Sequence, residues 1–167
     1  MKKNRFVGRW ATFFLIATLF SATVISCKEN SEDRVKPKTI ADVILENGQF
    51  SILKDIMVRA RMTDALRTDN ITLFAPDNNA FGRANIFSSS VIPDDSVKYF
   101  LQNHIIKNRT EAAELKLGNH PALNKANLVV TKTDSIVAVN KSDVVIPNVN
   151  ADNGVIHVID SVLVIIK

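Results

Sequence analysis

One cysteine, one tryptophan, one tyrosine and five glycines among 167 residues leave several kinds of chemistry without material. A lone Cys27 cannot close an intrachain disulfide or build a thiolate metal cluster, so stability has to come from packing. The few glycines form no loop that could cradle a phosphate, and no Gly-x-Ser-x-Gly elbow is present to expose a nucleophile. His104, His120 and His157 lie far apart, without the His-x-x-x-His or His-Glu-x-x-His spacing that holds a metal on one helix face. His157, Asp160 and Ser161 contain the residue types of a hydrolytic triad. In a strand, however, His157 and Ser161 share one face while Asp160 points to the other, so no proton relay can run through them. Asp77, Asp94 and Asp95 could be taken for acid/base carboxylates, but each stands at a predicted helix start, where capping accounts for it. The expectation is a protein with no catalytic residue, no metal and no cofactor.

The basic excess is also unevenly placed. Residues 1–26 open with Lys2, Lys3, Arg5 and Arg9 and continue from Trp10 to Ile25 without a charge. That apolar run is short for a spanning helix, which needs roughly 20 apolar residues, and it has the layout of a bacterial secretion signal. It ends in Val24-Ile25-Ser26-Cys27, which resembles the lipobox cut by lipoprotein signal peptidase. On that reading Cys27 becomes the lipid-bearing first residue, and its sulfur has no redox role. The segment holds four of the 21 Lys and Arg residues and none of the 17 acids, so residues 27–167 carry 17 of each and a formal net charge of zero. A nucleic-acid partner loses its electrostatic basis.

Residues 27–38 are polar, with Val35 as the single aliphatic side chain, and are expected to be a flexible tether. Extended, twelve residues reach roughly 40 Å. Lys28-Glu29 and Glu32-Asp33 resemble short charged export signals, with an ordinary solvated linker as the alternative. Lys at position 28, where an Asp would signal inner-membrane retention, favours the outer membrane, either facing the periplasm or displayed outside.

The single domain is expected to span residues 39–167. Thr39 is the predicted cap of a helix carrying Ile40, Val43 and Ile44, which ends at Asn47-Gly48. Phe50, Leu53, Ile56, Met57 and Ala60 form the apolar stripe of a second helix, with Lys54, Asp55, Arg59 and Arg61 mainly opposite. Ile71 to Ala75 reads as a buried strand broken by Pro76, after which Asp77 caps a short helix that returns Ala80 and Phe81 to the core. Pro93-Asp94-Asp95 opens a helix with Val97, Phe100, Leu101 and His104 on one face. Beyond Pro121 the period becomes two, predicting strands at 128–130, 136–139, 144–146 and 155–166, with turns at 133–135, 140–143 and 147–154. Asn153-Gly154 is expected to supply the positive φ angles of a tight reversal. Helices followed by a largely β half predict an α+β domain.

Two segments carry a resemblance. Thr72-Leu-Phe-Ala-Pro-Asp-Asn-Asn-Ala-Phe81, with Thr72, Phe74, Ala75, Pro76, Asp77, Ala80 and Phe81, and Asn153-Gly-Val-Ile-His-Val-Ile-Asp160, with Asn153, Gly154, Ile156, His157 and Asp160, resemble the two signature boxes of the fasciclin domain. The resemblance implies a compact β-wedge or sandwich with helices packed around it, and a non-enzymatic role in adhesion through protein or carbohydrate contacts. Fasciclin domains pair a Tyr with a His in the intervening helix. Here Asn103-His104 keeps the His, as a structural or binding candidate, but not the Tyr, which puts integrin-type recognition in doubt. The expected function is a lipid-anchored adhesion or binding module of the cell envelope, held to the membrane through Cys27. The alternative is an accessory lipoprotein of an envelope or polysaccharide-uptake complex. Binding specificity is expected in loops such as 85–90 and 116–125. Three Asp-Ser-aliphatic triplets, at Ser96, Ser135 and Ser161, resemble O-glycosylation acceptors, with Ser135 favoured by its predicted turn.

Overall fold

The computed structural model describes residues 36–163. The predicted signal segment, Cys27, most of the predicted tether and residues 164–167 lie outside that range. Thr39 caps α1 (Ile40–Glu46) in a reciprocal box: its hydroxyl accepts the Asp42 N–H, and the Asp42 carboxylate accepts the Thr39 N–H. After a 3₁₀ turn at Gly48–Phe50, α2 (Ser51–Arg59) buries Leu53, Ile56 and Met57, as its spacing predicts. Three shorter helices follow in the first two thirds of the chain: α3 (Ala65–Thr68), α4 (Asn78–Arg83) and α5 (Val97–Gln102).

Seven strands, β1 (Ile71–Pro76), β2 (Ile105–Lys107), β3 (Gly118–Pro121), β4 (Asn127–Thr133), β5 (Ile136–Val139), β6 (Ser142–Ala151) and β7 (Gly154–Ile159), form one sheet in the order β2-β1-β7-β6-β5-β4-β3. Among these pairs only β1 and β7 run parallel; the others are antiparallel. The first residues of β6 pair with β5 and the remainder with β7, across two register shifts. Bulges of that kind bend a strand and raise its twist, which lets β6 turn the corner between the two halves of the sheet. The far edges then meet: Ile106 bridges Ala122, and the Leu123 N–H reaches the Ile105 carbonyl at 2.8 Å. This contact, made just past the end of β3, covers part of the β2 edge.

Rolling the sheet creates two cores. One lies between the helices and the outer face of β1 and β7, and contains Leu53, Ile56, Leu73, Phe81, Leu101, Ile156 and Val158. The other fills the inside of the sheet with Phe74, Leu115, Leu128, Val130, Val139 and Ile159. Strand alternation sends Leu73 and Ala75 to the first core and Phe74 to the second, so all six residues of β1 and all six of β7 are buried.

Several expectations are corrected. The last strand ends at Ile159 and not at Ile166, because residues 160–163 peel away to other partners; residues 164–166 lie outside the described range. The predicted 147–154 turn is mostly strand, and Asp152-Asn153 alone make the reversal. Pro93 to Ser96 form a turn ahead of α5, so Asp94 and Asp95 cap nothing: Asp94 pairs with Arg59, and Asp95 accepts the Ser96 hydroxyl. β2 and β3 carry no strand signal in the periodicity; β3, Gly-Asn-His-Pro, has no β-branched residue and is held by its pairing with β4. It falls inside the predicted 116–125 loop. The 85–90 loop is mostly exposed, with Phe87 at its surface, and Ser135 occupies the exposed tip of the β4–β5 hairpin.

Candidate functional site

The two boxes are neighbours at the centre of the sheet. Ile71 pairs with Gly154, Thr72 with Val155, Leu73 with Ile156 and Phe74 with His157 along the parallel register of β1 and β7. Gly154 is required by proximity: a Cβ there would stand 2.0 Å from the Ile71 carbonyl oxygen. This replaces the expected reason, because neither Asn153 nor Gly154 has a positive φ. The left-handed pair is Asn140-Lys141, at φ 49° and 69°, which turns the chain from β5 to β6. Asn153 acts through its side chain. Its amide oxygen accepts the first N–H of α1, at Ile40, and its amide nitrogen donates to the Leu66 and Asp69 carbonyls around α3.

Thr72 is fully buried, with its hydroxyl donating to the Asn108 carbonyl at 2.8 Å and accepting the Thr110 N–H at 2.9 Å. The Thr110 carbonyl in turn accepts from Nε2 of His157 at 3.0 Å, while Nδ1 accepts the Asn148 N–H at 3.2 Å. The His157 ring, 5.6 Å from that of Phe74, therefore ties the segment after β2 to the middle of β6. Burial lowers its pKa, against the pull of the Thr110 carbonyl. His104 lies just past α5 and uses its ring in the same manner. Nδ1–H donates to the Phe100 carbonyl at 2.9 Å and Nε2 accepts the Leu163 N–H at 3.0 Å; full burial holds its pKa down to about 4. Asn103 completes that clamp by donating to the Leu163 carbonyl.

The remaining box residues serve the fold too. The Asp77 carboxylate accepts the Ala80 N–H at 2.7 Å, capping α4 and seating Ala80 and Phe81 in the core. Asp160 accepts from the Ser142 hydroxyl and the Asp143 N–H, and its own carbonyl takes the Arg83 guanidinium. His157 and Asp160 thus have separate partners and form no relay. Among the described residues no three His, Cys, Asp or Glu side chains gather to hold a metal, and no buried side-chain polar atom lacks a hydrogen bond.

The fasciclin-domain family model matches residues 48–165, about 70% of the chain, and covers both boxes. The chain belongs to the fasciclin-domain family. Two bacterial relatives, both from Synechocystis, are similar to it. Protein sll1483 is 34% identical over 130 residues, 75% of this chain and 72% of the relative. Uncharacterized protein sll1735 is 25% identical over 136 residues, covering 74% of this chain and 96% of that one. Among solved structures, a fasciclin domain pair from the insect cell adhesion molecule fasciclin I superposes with a TM-score of 0.64 at 17% identity, over 77% of this chain and 51% of that one. The chain spans about half the length of that domain pair, and the likeness shows the fold.

In this fasciclin domain the sequence overlooked two arginines. Arg109 reaches the Ala151 and Gly154 carbonyls, Asn150 and Glu111, fastening the segment after β2 to the β6–β7 reversal. Arg59 reaches back from α2 to hold the Ser89 and Ile92 carbonyls and Asp94. Neither carries a motif; their positions read only as solvated basic residues. Arg59 also lines a surface pocket with Ala60, Arg61, Asp94, Val97 and Lys98.

Proposed function

We propose that this fasciclin domain is a lipid-anchored binding module of the cell envelope, tethered through Cys27 to the outer membrane and making adhesive contact with protein or carbohydrate. The observation that supports this most is the use of the signature residues. Thr72, Asp77, His104, Asn153, His157 and Asp160 all spend their polar atoms on the protein's own backbone or hydroxyls. With recognisable chemistry consumed inside, contact with a partner falls to the surface, where loops and exposed side chains vary freely. A non-enzymatic role accords with that distribution.

Deletion in the native host should abolish attachment of washed cells to a surface, and Cys27→Ala should leave the unprocessed chain without lipid, as read by mass spectrometry. Normal attachment of the deletion strain would remove the adhesion reading. Protease shaving of intact cells separates surface display, where the domain is cleaved, from a periplasmic orientation, where it is protected.

A second reading, an accessory subunit of an envelope or uptake complex, draws support from exposed aliphatic residues on neighbouring strands: Val129 on β4, Ile136 on β5, and Val145 and Ile146 on β6. Co-purification in mild detergent distinguishes the two, because a stoichiometric complex favours the accessory role and a lone lipoprotein favours adhesion.

A further inference from the structure

We propose that the pocket between the C-terminal end of α2 and the start of α5 binds the carboxylate of an acidic polysaccharide, with Arg61 and Lys98 as its cationic contacts. This rests on the binding-module reading above and names a ligand class for it. The pocket is an open surface concavity of about 460 Å3, comparable in volume to the roughly 300–1,000 Å3 of small-ligand sites. Its lining is two-sided in character: Ala60 and Val97 provide an apolar floor, and Arg59, Arg61 and Lys98 face a single carboxylate, Asp94.

The charges divide into a structural pair and a free pair. Arg59 is engaged through both terminal nitrogens by the Ser89 and Ile92 carbonyls and by Asp94, so this guanidinium and that carboxylate neutralise each other. Arg61 and Lys98 are exposed and make no ion pair among the described residues. Arg61 is also held at φ 53°, a left-handed conformation uncommon for a residue of its size, directly after α2. A planar carboxylate between a guanidinium and an ammonium makes charge-assisted hydrogen bonds to both.

The neighbouring loop favours a sugar. Arg59 holds the carbonyl of Ser89, and on either side of that residue stand the exposed Ser88 and Ser90, whose hydroxyls bond each other at 2.9 Å and keep their remaining capacity toward solvent, with the Phe87 ring 75% exposed just before them. An exposed aromatic ring gives apolar contact to a saccharide face, hydroxyls bond to sugar hydroxyls, and the two cations take the acid. Anionic membrane is a poorer match, because surface attraction to lipid needs clusters of about four to eight basic residues and two free ones are present here. With residues 27–167 formally neutral, capture depends on this local geometry and not on a long-range field.

Titration of the full-length protein in detergent with an oligogalacturonate tests the assignment, with a neutral glucan oligosaccharide of equal length and vesicles rich in anionic lipid in parallel. The expected result is oligogalacturonate binding that weakens as salt rises, falls at least tenfold in Arg61→Gln/Lys98→Gln, and falls several-fold in Phe87→Ala, with unchanged melting temperatures. No oligogalacturonate binding by the wild type overturns the proposal. So does equal binding by the double variant, equal binding of the neutral glucan, or stronger binding to the vesicles. The adhesion reading is judged separately by attachment of the deletion strain: loss of attachment alongside failed oligogalacturonate binding removes this pocket and leaves the module reading standing.

Discussion

The imidazole of His104 accepts the backbone N–H of Leu163 at 3.0 Å, and with Asn103 it pins the segment that leaves β7 against the end of α5. The ring's other nitrogen is committed to the Phe100 carbonyl. His104→Phe keeps most of the volume while leaving the Leu163 N–H unpaired in a buried site; the Phe100 carbonyl keeps the Asn103 N–H at 3.2 Å. An orphaned buried group costs about 1–3 kcal/mol, so urea unfolding should show a loss of about 2 kcal/mol. A loss below about 0.5 kcal/mol would mean the clamp contributes nothing.

Because one nitrogen of His104 and one of His157 must accept a backbone N–H, both rings are needed neutral. Their folded-state pKa values lie below the ordinary 6.5, at about 4 for His104. The unfolded chain therefore binds protons that the folded chain refuses. Stability should be complete above about pH 6.5 and decline as pH falls toward 4. For His104 alone the drop amounts to about 3 kcal/mol. Urea midpoints between pH 7.5 and 4 measure it, and His104→Phe should flatten the slope over that window.

Two glycines with opposite surroundings offer a paired test. At Gly154 a Cβ would meet the Ile71 carbonyl at 2.0 Å, so Gly154→Ala forces β1 and β7 apart and should cost more than about 3 kcal/mol or prevent folding. Gly82, inside α4, has nothing within 4 Å of the same position and no positive φ. Gly82→Ala should stabilise by about 0.5–1 kcal/mol. Melting temperatures should move in opposite directions.

Asp77→Ala removes the cap of α4 and should lower stability by about 1 kcal/mol, while Asp77→Ser should recover most of it. If both variants matched the wild type in urea, the cap would have no energetic role. Asn153→Ala should cost more, about 2–3 kcal/mol, because three backbone groups of α1 and α3 lose a partner together.

Local patterns were legible where one element decides the outcome. The stripe on α2, the Thr39 cap, the Asp77 cap and the apolar run of β1 all depend on neighbours a few residues away, and each forms as its spacing predicts. Asn153-Gly154 reads as a positive-φ turn for the same reason; the reversal does fall there, at Asp152-Asn153, but without a positive φ. Its actual roles, a side-chain brace for two helices and a gap for the Ile71 carbonyl, involve residues more than 80 positions away.

The α+β class and the fasciclin scaffold could be read from the chain alone, because periodicity, capping and the two boxes are local or carried by residue identity. What those residues do follows from the folded arrangement: it sets the boxes side by side as a parallel pair, turns His104 and His157 into neutral clamps, and places Arg59, Arg61 and Lys98 around one pocket. Hydrogen-bond partners and charge neighbours are chosen by the closing of long loops. No periodicity along the chain records which distant carbonyl a ring nitrogen or a guanidinium will meet.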